Sequence, residues 1–148
     1  MALGIRNRLT ALTLLLVAAS GCTTLPEVRS CVHRNAEIEQ SIGYCQAVRA
    51  GNDLHVSGVT GAGPMEAAVP KVYEALRDIL RASGLSYADV IQETVYTTDL
   101  DAFIALKDRR KEFYGGALPA ATWVQVQRLY RPNYVLEVEL VARFPARP

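Results

Sequence analysis

Two glutamates two residues apart, Glu137 and Glu139, are the first candidates for chemistry in this chain. They alternate with Leu136, Val138 and Leu140, the period-2 pattern of a strand with one buried face. Both carboxylates therefore point to the same side, where a close pair can hold or move a proton. Upstream, Ala121 and Trp123 share one face of a second strand, in which Val124 and Val126 alternate with Gln125 and Gln127. Arg131-Pro132-Asn133 separates the two patterns, since proline cannot donate to a ladder and asparagine tolerates turn geometry. The stretch from Leu118 to Ala142 thus reads as two strands joined by a turn and as the floor of a site. Structural roles compete for each residue: solvated carboxylates or partners of Arg128 for the glutamates, ordinary packing for Tyr44, and a core or interface aromatic for Trp123.

Other chemical groups are sparse. Cys31 and Cys45 form an even pair, a candidate disulfide in an exported protein and otherwise two thiols. His33 and His55 show no metal-ligand spacing with a cysteine, so no metal site is expected. No Ser–His–Asp set is evident, and Gly58 to Pro64 lacks the Gly-Lys-Ser/Thr ending of a phosphate loop. It reads as a flexible connection. No cofactor is expected.

The elements that must position these groups can be read in order. Tyr44–Val48 and Leu54–Ser57 are short strand-like runs around the turn signal Ala50-Gly51-Asn52-Asp53. Val69, Val72, Tyr73, Leu76, Ile79 and Leu80 line one face of a helix, with Pro70 expected in its first turn and Gly84 at its end. Val90 to Thr98 is β-branched and aromatic, hence a strand. A second helix spans about Ala102 to Tyr114, its apolar stripe of Phe103, Leu106 and Phe113 interrupted by Arg110. The basic run Lys107 to Lys111 reads as a solvated face, or else as an anion-facing patch. One apolar stripe per helix places both on the same side of a sheet. The other side, expected to carry Trp123 with Gln125, Glu137 with Glu139, and Val59, is too apolar for solvent and too polar for a core. A subunit interface resolves this.

The chain has 148 residues and a net charge of +1, enough for one domain with a core and no signature of nucleic-acid binding. Its first 22 residues look like an address. Arg6 and Arg8 precede the apolar run Leu9 to Ala19, and Ala19-Ser20-Gly21-Cys22 ends it. The cysteine after small residues resembles a bacterial lipobox. On that reading residues 1–21 are a lipoprotein-type signal peptide and Cys22 carries the lipid. Residues 22–40 are a tether and 41–148 the domain. The protein is then exported and faces the periplasm, on the membrane through its lipid alone. Removing Arg6 and Arg8 from the 16 basic residues leaves 14 against 15 acidic, a charge of −1.

From Tyr44 onward the chain resembles the RidA/YjgF family of imine and enamine deaminases. The resemblance rests on Gly43 to Val48, Val56-Ser57-Gly58, Leu80 to Ser86, Asp89-Val90 to Thr98-Asp99-Leu100, Pro119-Ala120 with the strand to Leu129, and Leu136 to Ala142. It implies an α+β, chorismate-mutase-like domain, a mixed sheet with two helices on one face. It also implies a homotrimer with a small organic ligand in each cleft between subunits. In the family, hydrolysis of 2-imino acids uses an arginine on the substrate carboxylate and a glutamate that positions water. The resemblance carries the glutamate to Glu137, assigns substrate-binding positions to Tyr44, Gly58, Ala121 and Trp123, and puts the arginine at Ala121. Val59 stands for a usual glutamine, Gly43 for a proline and Lys107 for an asparagine. These departures imply a rewritten cleft in a binding protein without the standard deaminase activity. A deaminase of altered specificity with Glu137 as base, or one in which Lys107, Arg128 or Arg131 replaces the arginine, is the alternative.

Overall fold

The computed structural model describes residues 29–146. The signal peptide 1–21 and Cys22 lie outside them. The described chain is α+β. Six strands form one mixed sheet in the order β1-β2-β3-β6-β4-β5: β1 (Arg29–Val32), β2 (Ala47–Ala50), β3 (Asp53–Ala62), β4 (Val90–Thr97), β5 (Ala120–Gln125) and β6 (Tyr134–Arg143). All neighbours are antiparallel except β4 and β5, which are parallel. Helices α2 (Met65–Ala82), α3 (Leu100–Ala105) and α4 (Lys107–Tyr114) pack over one face. A short α1 (Ala36–Ile42) lies between β1 and β2 in the chain. No helix among the described residues is long and apolar enough to cross a membrane.

The alternation expected of β6 is realised. Leu136, Val138, Leu140 and Ala142 are all buried, and the residues between them are partly exposed. Their core partners are Val69, Val72, Tyr73, Leu76 and Leu80 of α2. Burying such side chains contributes about 1.5–3 kcal/mol each, so β6 and α2 carry much of the fold. Helix α2 begins a turn earlier than expected, because Pro64 caps it and Met65, Ala68 and Val69 already bury. Pro70 therefore sits in the second turn, not the first, and withholds the N–H that the Glu66 carbonyl would receive. Gly84, at φ +75, ends the helix as expected.

Four further expectations change. Strands β5 and β6 follow one another in sequence but do not pair, since β4 lies between them. Residues 126–133 are long enough to step across it, where a tight turn is not. Gly58 to Ala62 is strand, not a loop. Gly61 lets α2 approach β3, as a Cβ there would meet Val72 Cγ2 at 2.8 Å and Ala68 Cβ at 3.0 Å. The second helix is two, split at Leu106, whose N–H bonds the nearer Phe103 carbonyl at 3.0 Å. Residues 29–40, read as part of a tether, supply β1, paired along its length with β2, and most of α1.

Candidate functional site

The strand pairings divide the predicted site residues between two faces. Glu137 lies opposite Tyr96 on β4 and Thr60 on β3, and Glu139 opposite Thr94. These five share the face that α2, α3 and α4 leave uncovered. Ala121 lies opposite Glu93, and Trp123 opposite Val95, both on the helix-covered face. The expectation that Trp123 and Gln125 would stand with Glu137 and Glu139 is thereby corrected. So is the place of Val59, which is buried opposite Val138 on the core side. The error came from treating β5 and β6 as one hairpin. With β4 between them, the faces follow the register of β4.

On the uncovered face Glu137 is half-buried, and burial, with Glu139 beside it, pushes its carboxyl above the usual range. No hydrogen bond reaches this carboxylate among the described residues, whereas Glu139 accepts one from the Tyr96 hydroxyl at 3.1 Å. Gly58 is the residue that makes room for Glu137: a Cβ there would collide with the carboxylate oxygen Oε1. The register shift between Val56 and Val59 puts Gly58 at a bulge, where a strand is re-aimed. Glu137 and Gly58 are thus brought together. Tyr44 is exposed and lies near the end of this face with Tyr134. Burial of its hydroxyl, then Glu39 and Tyr134, raise its pKa.

The helix-covered face holds a polar cluster that the sequence reading missed. Glu93 of β4 is fully buried and receives hydrogen bonds from four side chains. Tyr73 and Tyr114 donate at 2.7 Å, Arg110 Nη2 at 2.6 Å and Nε at 2.9 Å, and Trp123 Nε1 at 3.1 Å. Trp123 also stands edge-on to Phe103 at 5.1 Å. Arg110, which interrupts the helical stripe, is neither a solvated charge nor an anion patch. It is buried on Glu93. Burial, followed by Glu93, pushes the Tyr73 and Tyr114 hydroxyls far up. Two signals could have exposed this cluster: a glutamate on the buried parity of a strand, and an arginine in an apolar stripe.

At the β1–β2 end, Cys31 and Cys45 are joined as a disulfide, with Cα atoms 5.6 Å apart. His33 Nε2 lies 3.1 Å from Cys31 Sγ, and His33 Nδ1 is 2.6 Å from Glu39 Oε2. Glu39 is buried and accepts the N–H groups of Arg34, Asn35 and Gln46. Burial alone would raise its carboxyl, but these bonds and His33 hold it below the usual range. His33 therefore does keep close company with cysteines, contrary to expectation: its ring and both sulfurs lie within 4.8 Å. With the disulfide closed, neither sulfur is the thiolate that a metal takes.

Comparison with known proteins fits this architecture. The family described as Endoribonuclease L-PSP matches residues 34–144. A RutC family protein of Pyrococcus horikoshii is 33% identical, over 67% of this chain and 85% of its own. A 2-iminobutanoate/2-iminopropanoate deaminase of Dermatophagoides farinae is 30% identical, over 69% of this chain and 87% of its own. The crystal structure of a YjgF/YER057c/UK114 family member from Mycobacterium tuberculosis superposes with a TM-score of 0.72 at 28% identity, covering 78% of this chain and 99% of that one. Fold and sequence agree, and the chain belongs to the RidA/YjgF/L-PSP (RutC) family.

Proposed function

We propose that this chain is an exported, lipid-anchored member of its family that binds a small organic ligand in a cleft between the subunits of a homotrimer. It does so without the standard 2-iminobutanoate/2-iminopropanoate deaminase activity. Cys22 carries the lipid, and the uncovered face of the sheet, half apolar and half polar, is the surface the trimer closes. The observation that carries the reading is residue 121. Where the family resemblance calls for an arginine on the substrate carboxylate, Ala121 ends in a methyl group, exposed on the edge strand β5 and on the side of its own sheet away from Glu137, so the two share a ligand only across a subunit boundary. Arg110 cannot take over, because it is buried on Glu93. The carboxylates Glu137 and Glu139 then repel an anionic ligand and favour a neutral or cationic one.

Losing a bidentate charge-assisted contact costs about 2–5 kcal/mol, or about 30-fold to a few thousand-fold in affinity. The full chain in detergent is therefore expected to leave 2-iminopropanoate, generated in situ, at its background rate of hydrolysis. Ala121→Arg restores turnover if the rest of the site is intact. Hydrolysis by the unaltered chain overturns the binding-protein reading.

A second reading has one observation in its favour. Glu137 is a half-buried carboxyl, raised above its usual range and with no donor among the described residues, the state suited to general acid/base work. A deaminase of altered specificity would use it as base on a less anionic imine. Turnover of such an imine that Glu137→Gln abolishes would select this reading over the first.

A further inference from the structure

The disulfide at the β1–β2 end lies in a setting that a purely structural bridge does not need. Cys31 is on the edge strand β1 and is exposed, while Cys45 is half-buried. His33 Nε2 is within hydrogen-bond distance of Cys31 Sγ, and the other ring nitrogen is fixed on Glu39. Glu39 is itself immobilised by three backbone N–H groups and is 2% exposed. A nucleophile, a base within reach of it and a third group orienting the base make up the arrangement of an activated side chain. A surface concavity opens over this group, lined by Cys31, His33, Cys45, Arg29, Gln40 and Tyr44.

The geometry points to a thiol–disulfide exchange site, with Cys31 as nucleophile, Cys45 as resolving thiol, His33 as proton donor and acceptor at Cys31, and Glu39 as the positioning residue. The substrate class is a disulfide on a protein or small molecule that can enter from the exposed side. In the reduced protein the Cys31 thiolate, hydrogen-bonded by His33, attacks one sulfur of that disulfide. The substrate S–S bond breaks, a mixed disulfide with Cys31 forms, and one substrate thiolate leaves. The Cys45 thiolate then attacks Cys31 Sγ, which closes the Cys31–Cys45 bond and releases the second substrate thiolate. Two electrons pass from the cysteine pair to the substrate, and the proton held at His33 and one from solvent complete the two product thiols. Run in reverse, the closed disulfide oxidises a dithiol. The carboxylate matters because it holds the ring with Nε2 toward sulfur and stabilises the charge the ring takes on.

The groups around this site come from several elements. Arg29 of β1 and Tyr44 line the concavity over Cys31, while Arg34 and, from α2, Asp78 stand on the other side of His33. The fold permits the cycle, since β1 is an edge strand held on one side only by β2 and opening the bridge leaves that ladder in place.

The test is the pH dependence of Cys31 alkylation in the reduced full chain, with a metal chelator present. Iodoacetamide is the probe, and the Cys31-bearing peptide is counted by mass so that Cys22 does not interfere. An ordinary cysteine has a midpoint near pH ~8.5. The expected midpoint is at least about one unit lower, with Cys31 reacting before Cys45 and at least about five-fold faster at pH 7 than in His33→Ala. His33→Ala returns the midpoint to the ordinary value. An ordinary midpoint in the unaltered chain, or first reaction at Cys45, overturns the proposal without recourse to a variant. A lowered midpoint that His33→Ala leaves unchanged also overturns it.

Discussion

Glu93 and Glu137 occupy neighbouring strands of one sheet and face opposite ways. Glu93 is fully buried, yet an arginine, two tyrosines and a tryptophan all donate to it. Glu137 is only partly buried, yet no donor among the described residues reaches it, and its carboxyl is raised. The more buried carboxylate is thus the better satisfied one. A buried charge survives only when paired and hydrogen-bonded, so Glu93 has been made part of the scaffold. A carboxylate left short of donors is one whose protonation stays responsive, and that is the property a site needs. The inward face fixes a structure, and the outward face holds the residue still free to act.

The largest expected effect lies on the inward side. Glu93→Ala leaves Arg110 buried without its partner, together with two tyrosine hydroxyls and an indole N–H. Removing one member of a buried ion pair costs about 3–5 kcal/mol. Denaturant unfolding of the variant is expected to show a loss of that size. The pair of changes Glu93→Leu and Arg110→Met is expected to recover part of it, since the charges go together while the tyrosine hydroxyls stay orphaned. A loss below about 1 kcal/mol in the single variant would erase the contrast between the two carboxylates.

How much of this could be read beforehand follows from the range of each signal. The β6 pattern and the α2 stripe are local, and each names its own buried face. The uncovered, mixed face followed from them, because one stripe per helix leaves a sheet with one free side. What could not be read was pairing. Nothing within Leu118–Ala142 says that β4 enters between β5 and β6, because those contacts join residues 28 apart in sequence for β5 and 39 to 52 apart for β6. From that single error came the placement of Trp123 beside Glu137. Arg110 reads as a local anomaly in its stripe and Glu93 as one polar residue of a strand, and only the parallel crossover from β4 to β5 makes them one cluster. Likewise Cys31, His33 and Glu39 lie in a stretch without periodicity. Their convergence depends on β1 joining the sheet edge, which composition does not announce.

Trp123 tests the inward assignment with a smaller effect. Its indole N–H is one donor among several to Glu93, and its ring rests edge-on against Phe103. Trp123→Phe keeps an aromatic there and removes the donor. A hydrogen bond to a charged partner is worth on the order of 1.5 kcal/mol, and the melting temperature is expected to fall accordingly. Ligand affinity on the opposite face is expected to stay unchanged. A variant of ordinary stability with altered ligand binding would return Trp123 to the site and undo the division of the two faces.

The smallest effect is also the most discriminating, because its sign is what matters. Burial, with Glu139 beside it, raises the Glu137 carboxyl above the ordinary glutamate value in the folded chain. Between that value and the raised one, the folded state binds more protons than the unfolded state. Stability must then fall as pH climbs through this window, and the loss persists above it. Glu137→Gln has no such dependence. The variant is expected to match the unaltered protein below pH ~4 and to be slightly the more stable at pH 7, measured by thermal melts at one protomer concentration. The opposite sign at pH 7 would mean that the ionised carboxylate has a donor within a single chain's reach or across a subunit boundary. Repeating the melts across protomer concentrations separates these cases, since a donor from a second subunit makes the difference grow with concentration. Glu137 would then be a second Glu93, satisfied by assembly where Glu93 is satisfied by folding.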